Sequence, residues 1–368
     1  MKDRVRKVFE NLAAPADALV LANSVDPLID HSFFYLFDCA SGIFEGSLAI
    51  ALPDGQLHVF SSPLEAESAY QAAKQDPTVT VHVPKPSEME GEVRGILGAT
   101  QRIALNYHEV THESYLRLTK LIGDREWIDA SAALRKARVT KDAREIERLT
   151  RAAEIGSVVG REIPGMLKAG MTELELAAEM EYSMMKHGAS GRSFSTIVGF
   201  GPSGAEPHYM PGERRLASGD SIVCDFGAFY RRYASDITRS FHFGRRDDEL
   251  KRVHETVEVA QQAALSLARP GVTGKELHNA AAQVIDASPW KGRFTHGLGH
   301  SIGLAVHDGF GMGPLTDDVL VEGMAITIEP GIYLPGRGGV RIEDDILITR
   351  HGYEFLTTAP RGYVEVSA

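Results

Sequence analysis

The sequence predicts a two-domain mixed α/β (α+β) protein, with a small N-terminal α/β domain over residues 1–138 and a larger domain over 139–368. Three observations carry this. The chain has 368 residues, enough for two or three domains at about 150 residues each. Short apolar runs alternate with helical stretches through roughly the first third of the chain. Further on, a spaced set of residues recurs once at a long, constant offset, which marks a duplicated structural unit.

Taken in order, Ala18–Ala22, Leu48–Leu52, Leu57–Phe60, Val79–Val83 and Ile103–Asn106 read as strands, each being short and apolar. Pro53-Asp54-Gly55, between the second and third, is a tight-turn signal and predicts a hairpin. Ser62–Lys74 and His108–Gly123 read as helices, and Pro84 and Pro86 mark a loop. This part carries no catalytic motif. From Ser131 to Lys168 the pattern turns long, charged and helical, with little glycine before Gly156. Such a stretch suits a helix linking two domains, and the boundary is expected near Val139.

Composition narrows the function. With 43% hydrophobic and 24% charged residues the chain reads as an ordinary globular protein. Lysine and arginine number 39 against 50 acids, a net charge of −11, so neither nucleic acid nor an anionic membrane is expected as the main partner. No uncharged apolar run approaches the roughly 18 residues that would span a bilayer. Met1-Lys2-Asp3-Arg4 leads into a stretch broken by Glu10, Asn11 and Asp17, unlike a signal peptide. Cys39 and Cys224 cannot build a disulfide framework, and a cytoplasmic protein is expected.

The repeat is the most informative feature. Leu216-x-x-Gly219-x5-Asp225-x-Gly227 reappears as Leu320-x-x-Gly323-x5-Glu329-x-Gly331, with every position shifted by 104. Upstream, Gly170-Met-Thr-Glu-Leu-Glu-Leu is echoed by Gly271-Val-Thr-Gly-Lys-Glu-Leu at an offset of 101, and downstream Asp236 and Glu343 lie 107 apart. Two copies of one helix-turn-strand-strand unit, each bearing carboxylates, imply a site on the pseudo-twofold axis between them.

Those carboxylates sit in strand-like, apolar segments. Asp225 follows Ser221-Ile-Val-Cys224, Asp236 opens Ile237-Thr-Arg-Ser-Phe241, Glu329 follows Ala325-Ile-Thr-Ile328, and Glu343 precedes Asp344-Asp345-Ile-Leu-Ile348. Half-buried acids are costly unless paired or bound to metal. One such acid is usually a cap or a turn residue, but four at matching repeat positions point to metal. Thr295-His296-Gly-Leu-Gly299-His300 adds an imidazole flanked by glycines that let the backbone approach an ion closely. A lone histidine would more often be a core residue; beside four acids it becomes a candidate ligand. Four carboxylates neutralise two divalent cations, and five residues suffice if two carboxylates bridge. Two ions roughly 3.5–4 Å apart can share a water, lower its pKa and polarise a carbonyl. An oxygen-rich set with one imidazole and no thiolate favours Mn²⁺, with Co²⁺ or Zn²⁺ as alternatives. Metal-assisted hydrolysis is the expected reaction. His208 and His307 are candidates for stabilising the oxyanion and moving a proton to the leaving amine.

At this point the residues resemble a known family. From about Lys141 to Thr349, the motifs Asp225-Phe-Gly227, Ser235-Asp236-Ile-Thr-Arg, His296-Gly-Leu-Gly-His300, Glu329-Pro-Gly-Ile-Tyr333 and Val340-Arg-Ile-Glu343-Asp-Asp are similar to those of the pita-bread metallopeptidases, in the prolidase and Xaa-Pro aminopeptidase branch. The resemblance implies a creatinase-like N-terminal domain followed by a pita-bread catalytic domain. It further implies that Asp225 chelates the first metal, that His300 and Glu329 bind the second, and that Asp236 and Glu343 bridge both around the nucleophilic water. His208 and His307 match the family's two non-ligand histidines. Arg341 is expected to hold a ligand carboxylate in place by donating to it, and His296 does something similar or packs structurally. A homodimer is implied by the resemblance alone.

All five ligand positions are filled, unlike those of the creatine-hydrolysing relatives. Length and Gly-His-Ser-Ile-Gly-Leu resemble the shorter prolidases, which cleave Xaa-Pro dipeptides. Val306-His307-Asp308 is closer to the aminopeptidase pattern, and Asp308–Pro314 lacks the arginine that clamps a dipeptide's carboxylate in many prolidases. Arg337 or a partner subunit is the substitute considered for that clamp. The expectation is a dipeptidase acting on small proline-containing peptides, with an Xaa-Pro aminopeptidase as the alternative. Phe194, Tyr209 and Tyr333 are candidates by motif proximity to line a proline pocket, each equally plausible as a core residue. Two rivals from other classes are an inactive binding module and a metal-dependent lyase or hydrolase of a non-peptide small molecule.

Overall fold

In the computed structural model, which describes residues 1–368, the apolar runs of the N-terminal part assemble into one six-stranded mixed sheet. Its strands are β1 (Ala18–Ala22), β2 (Leu48–Ala51), β3 (Leu57–Phe60), β4 (Val79–His82), β5 (Arg102–Leu105) and β6 (Glu126–Asp129), in the order β4-β3-β2-β1-β5-β6. β2 and β3 pair antiparallel across the Pro53-Asp54-Gly55 turn, where Gly55 has φ +95°. β1 is central, antiparallel to β2 and parallel to β5, and all five of its residues are buried. A residue run apolar on both faces is what a central strand demands. β6 escaped sequence reading: both edge strands bury one residue, Val79 in β4 and Ile128 in β6, but β6 reads Glu-Trp-Ile-Asp and lacks the β-branched run that announces β4. The helix His31–Phe37 also escaped: six of its seven residues are buried, so it shows no amphipathic period.

The charged helical stretch is two helices rather than one. Ser131–Val139 ends before Thr140, and Ala143–Met166 begins after Asp142. Asp142 stops any continuous helix by turning its carboxylate to the N–H groups of Arg144 and Glu145, while Glu145 returns the bond to the Asp142 N–H. The chain divides into two compact units, Met1–Arg138 and Val139–Ala368, with separate hydrophobic cores.

In the second unit the duplication is structural. Thr172 and Thr273 cap the helices Glu173–Lys186 and Gly274–Asp286, each with a capping box completed by Glu175 or Glu276. Leu216 and Leu320 donate to the Met171 and Val272 carbonyls, and the turns that follow place Gly219 and Gly323 at φ +102° and +87°. That left-handed backbone is why both copies carry glycine there. The strand Ser221–Phe226 then pairs antiparallel with Ile237–Phe243, as Ala325–Ile328 does with Asp344–Thr349. Each half has its own core, one centred on Phe200, Phe226 and Phe241, the other on Ile326, Ile328 and Ile346. Cys224 is buried in the first of these, on the face of its strand opposite Asp225. No helix is long and apolar enough to cross a membrane.

Two histidines in the first half make the unit sensitive to acid. His242 is held down to about 3, by burial first and then by its neighbour His254, whose own Nε2 donates to the Arg361 carbonyl. Lys251 lies over the Tyr363 ring that packs on His242. The unfolded chain protonates His242 near pH 6.5 and the folded chain does not until about pH 3. The stabilisation is therefore complete above about pH 6.5 and falls by up to about 1.4 kcal/mol per unit as the pH drops toward 3. His242→Phe should flatten the fall in melting temperature between pH 7 and 4.5; an unchanged fall would remove His242 from that account.

Candidate active site

The motif residues come together between the two halves of the duplicated unit. A cavity of about 270 Å³ is lined by four imidazoles (His208, His296, His300, His307), two carboxylates (Asp225, Glu329) and Arg341. Asp236, His300 and Glu343 form a cluster in which one donor atom of each lies within 4.8 Å of the others. His300 joins the two sets: its Nε2 is 3.4 Å from Glu329 Oε1 and 3.5 Å from Asp236 Oδ2. His208 and His307 are exposed at the mouth, and the His307 ring lies 4.2 Å from that of His300.

Backbone anchors set the depth of each acid. Glu343 N–H donates to the Thr238 carbonyl, Glu329 N–H to Leu298, and Asp236 N–H to Asp345 Oδ2 at 2.9 Å. A Cβ on Gly299 would overlap the Thr327 carbonyl, so the His300 strand reaches the Glu329 strand only because residue 299 lacks a side chain.

Around the cluster runs a chain of hydrogen bonds. Arg341 Nη2 donates to Asp225 Oδ2 at 2.7 Å, Nε to Thr238 Oγ1 at 3.0 Å and Nη1 to Tyr333 Oη at 2.8 Å. Thr238, having accepted from arginine, donates to Glu343 Oε2 at 2.6 Å. His296 Nδ1 donates to the Gly297 carbonyl at 2.7 Å, so its Nε2 accepts from Tyr333 Oη at 2.8 Å. Burial, ahead of the nearby Arg341 charge, holds His296 down to about 4, so the ring is neutral.

The electrostatics of the cluster are unfavourable without a cation. Asp236 and Glu343 are pushed well above the carboxylate range, by burial first and then by neighbouring acids, and Glu329 rises to about 8, again mainly by burial. Burial also holds His300 down to about 3. The His300 Nδ1 faces the Ser301 carbonyl at 3.3 Å, which leaves the unprotonated Nε2 aimed at two carboxylate oxygens. A lone pair therefore meets carboxyl oxygens, a contact that only a proton or a cation can bridge. Asp225 Oδ1, Asp236 Oδ1 and Glu343 Oε1 are buried with no hydrogen-bond partner. Unpartnered carboxylate oxygens converging with an imidazole lone pair fit divalent cations, which would displace the protons that burial forces onto the acids.

Several side chains have partners that differ from expectation. Arg337 is taken by Asp247 and Glu249, both at 2.9 Å, and does not line the cavity. Tyr209 turns its hydroxyl to Glu173, Tyr333 is occupied by His296 and Arg341, and Phe194 is not among the lining residues. Three residues around the site were not singled out by the sequence: Thr238, Asp345 and Arg239. Arg239 is 2% exposed and donates to the Thr238, Glu343 and Ala359 carbonyls and to Asp344. The only available signal was their place inside the Asp236 and Glu343 motifs.

Comparison with known proteins agrees with this geometry. Residues 147–350 match the model of metallopeptidase family M24, and residues 3–140 match the creatinase/prolidase N-terminal domain. An Xaa-Pro dipeptidase of Pyrococcus horikoshii is 33% identical over 98% of both chains. The crystal structure of an X-Pro aminopeptidase from Thermotoga maritima superposes with a TM-score of 0.89 at 34% identity, covering 99% of this chain and 100% of that one. The prolidase structure from Pyrococcus horikoshii gives 0.85 at 32% identity over 98% and 99%. A creatinase-type domain followed by a pita-bread unit whose acids call for divalent metal ions is the architecture of metallopeptidase family M24, and this chain is an enzyme of that family.

Proposed function

We propose that this enzyme is an Xaa-Pro dipeptidase, hydrolysing the bond before proline in small peptides. The observation that carries the reading is the convergence of buried, unpartnered carboxylate oxygens and an imidazole lone pair in a cavity of about 270 Å³. Likeness to an Xaa-Pro dipeptidase and a prolidase over nearly the whole chain supports the specificity. Asp225, Asp236, His300, Glu329 and Glu343 would hold two divalent ions, with Asp236 and Glu343 shared between them. The oxygen-rich set favours Mn²⁺ over Co²⁺ or Zn²⁺. Bound ions supply Lewis acidity toward the scissile carbonyl and lower the pKa of a water.

The chain's own groups do the rest. Arg341 fixes Asp225, and through Thr238 it fixes Glu343, while the other oxygen of each carboxylate keeps no hydrogen-bond partner. His307, exposed at the rim yet partly shielded from water, is held below the usual histidine range by that desolvation first and then by His208, and stays neutral. Between them His208 and His307 supply an N–H for the oxygen on which charge develops and a relay for the proton that the attacking water releases and the departing proline nitrogen takes up. That nitrogen leaves a tertiary amide and must be protonated to depart as an amine. His208→Ala should lower turnover by about 10²–10⁴-fold while metal content stays unchanged; loss of metal would contradict its place outside the ligand set. The resemblance to the family also supports a homodimer working in the cytoplasm.

A second reading, an Xaa-Pro aminopeptidase, has one observation in its favour. The cavity offers no spare cation for a dipeptide's carboxylate, because Arg341 is engaged by Asp225, Thr238 and Tyr333, and Arg337 lies elsewhere. Purified, Mn²⁺-loaded protein assayed on Ala-Pro and Ala-Pro-Ala decides. Cleavage of Ala-Pro alone supports the dipeptidase; comparable or faster cleavage of the tripeptide replaces it with the aminopeptidase. Inactivity on both, with two metals bound, would sink the peptide reading.

A further inference from the structure

His208 stands at the cavity mouth with an exposed ring, so the backbone on either side sets its direction. Before it, the Pro207 carbonyl accepts from Arg341 Nη2 at 3.4 Å. After it, the loop is gathered onto one buried acid. Glu173, the first residue of the helix Glu173–Lys186, is 0% exposed. Its Oε1 accepts from the Phe200 N–H at 2.9 Å, and its Oε2 accepts from Tyr209 Oη at 2.9 Å and the Gly212 N–H at 3.0 Å. The Glu173 N–H also donates to the Arg214 carbonyl, and the Leu174 N–H to Gly212. One carboxylate thus ties both ends of the segment 200–212 and the residue next to His208.

We propose that Glu173 is a positioning residue for His208, acting through Tyr209 and the Gly212 turn. The duplication separates this from a general need of the fold. At the matching position of the second half stands Gly274, where an added Cβ would lie 3.1 Å from Met312 Cγ and 3.3 Å from its Cα. Both helices keep their threonine cap and capping-box glutamate, Glu175 or Glu276. The helix start therefore forms without an acid at this position, and the buried carboxylate occurs only in the half that carries His208. A carboxylate accepting three hydrogen bonds holds a loop more rigidly than neutral partners would, since each bond is charge-assisted. Glutamine cannot replace it, because its amide nitrogen would face a donor on one side or the other.

The inference rests on the peptidase reading for its kinetic test but not for its structural one. Glu173→Gln should lower kcat by about tenfold to a hundredfold, the cost expected for a displaced catalytic group, with KM and metal content little changed. Tyr209→Phe should lower it in the same direction by less. In a His208→Ala background neither change should reduce kcat further, because the residue they position is gone. In protein with ¹⁵N-labelled histidine, the ring resonances that vanish in His208→Ala should shift or broaden in Glu173→Gln and Tyr209→Phe. Full multiplicative losses in the His208→Ala background, or unmoved His208 resonances, would overturn the proposal. If Glu173→Gln does not fold, Tyr209→Phe carries the same cycle and the same spectrum. Should the native enzyme prove inactive on Xaa-Pro peptides, the proposed substrate fails while the resonances still report on Glu173.

Discussion

Asp236→Ala is expected to abolish turnover and strip the protein of metal together, the largest effect of any single change in the site. Asp236 lies within reach of both His300 and Glu343, and its Oδ1 is buried with no partner of its own. Removing it takes one carboxylate from the cluster and leaves His300 and Glu343 facing a gap. Losing the metal contribution costs several kcal/mol of barrier, a drop of at least about a thousandfold in kcat. Metal per chain by mass spectrometry and turnover on Ala-Pro, with circular dichroism as the control for folding, would measure both. Full metal occupancy in the variant would sink the ligand assignment. Stability separates the cause further. In chelator, Asp236→Asn should melt no lower than the native protein, because it relieves an acid that burial and Glu343 already oppose. With metal present the order should reverse.

Arg239→Met should cost about 3–5 kcal/mol, the range for breaking a buried ion pair by removing one partner. The Arg239 guanidinium satisfies three carbonyls and the Asp344 carboxylate, with distances of 2.6–2.9 Å, and both side chains are almost wholly inaccessible. Asp344 would keep Arg361, Gln261 and Thr357, so the pair does not collapse entirely. Because Arg239 holds the Glu343 carbonyl, the loss should reach the site and weaken metal retention as well. A fall in melting temperature of about 6 °C or more is expected for a unit of this size. The double variant Arg239→Met, Asp344→Asn should recover little of it, since Asp344 still has Arg361 in the single variant and the three carbonyls lack their donor in both. A melting temperature within about 2 °C of native would show that the pair contributes little net stability.

Much of this protein is legible without its structure, for identifiable reasons. The strands β1, β2, β3 and β5 of the first unit are written as short apolar runs, because central strands bury both faces and leave little room for polar residues, while edge strand β4 shows itself through the β-branched run Val79-Thr80-Val81. The duplication is written in spaced glycines and leucines, since Gly219 and Gly323 need a left-handed turn and Leu216 and Leu320 each fill a half-core. The acids and histidines around the cavity stand out because buried ionisable groups are rare unless they have chemistry to do.

What the sequence hides depends on partners far along the chain. Nothing local says that Arg341 reaches Asp225 across 116 residues, or that Arg239 reaches Asp344 across 105. Arg337 reads as a free cation until the fold brings Asp247 and Glu249 to it, and Tyr209 reads as a pocket wall until its hydroxyl is seen on Glu173. Edge strand β6 and the buried helix His31–Phe37 lack the periodicity that would announce them. By itself, then, the sequence determined which residues carry charge into apolar surroundings and how often the unit repeats, because composition and spacing are local properties. Only the tertiary structure decided which donor satisfies which carboxylate, and so which oxygens are left facing one another for a cation, because hydrogen bonds form between groups that folding brings within about 3 Å.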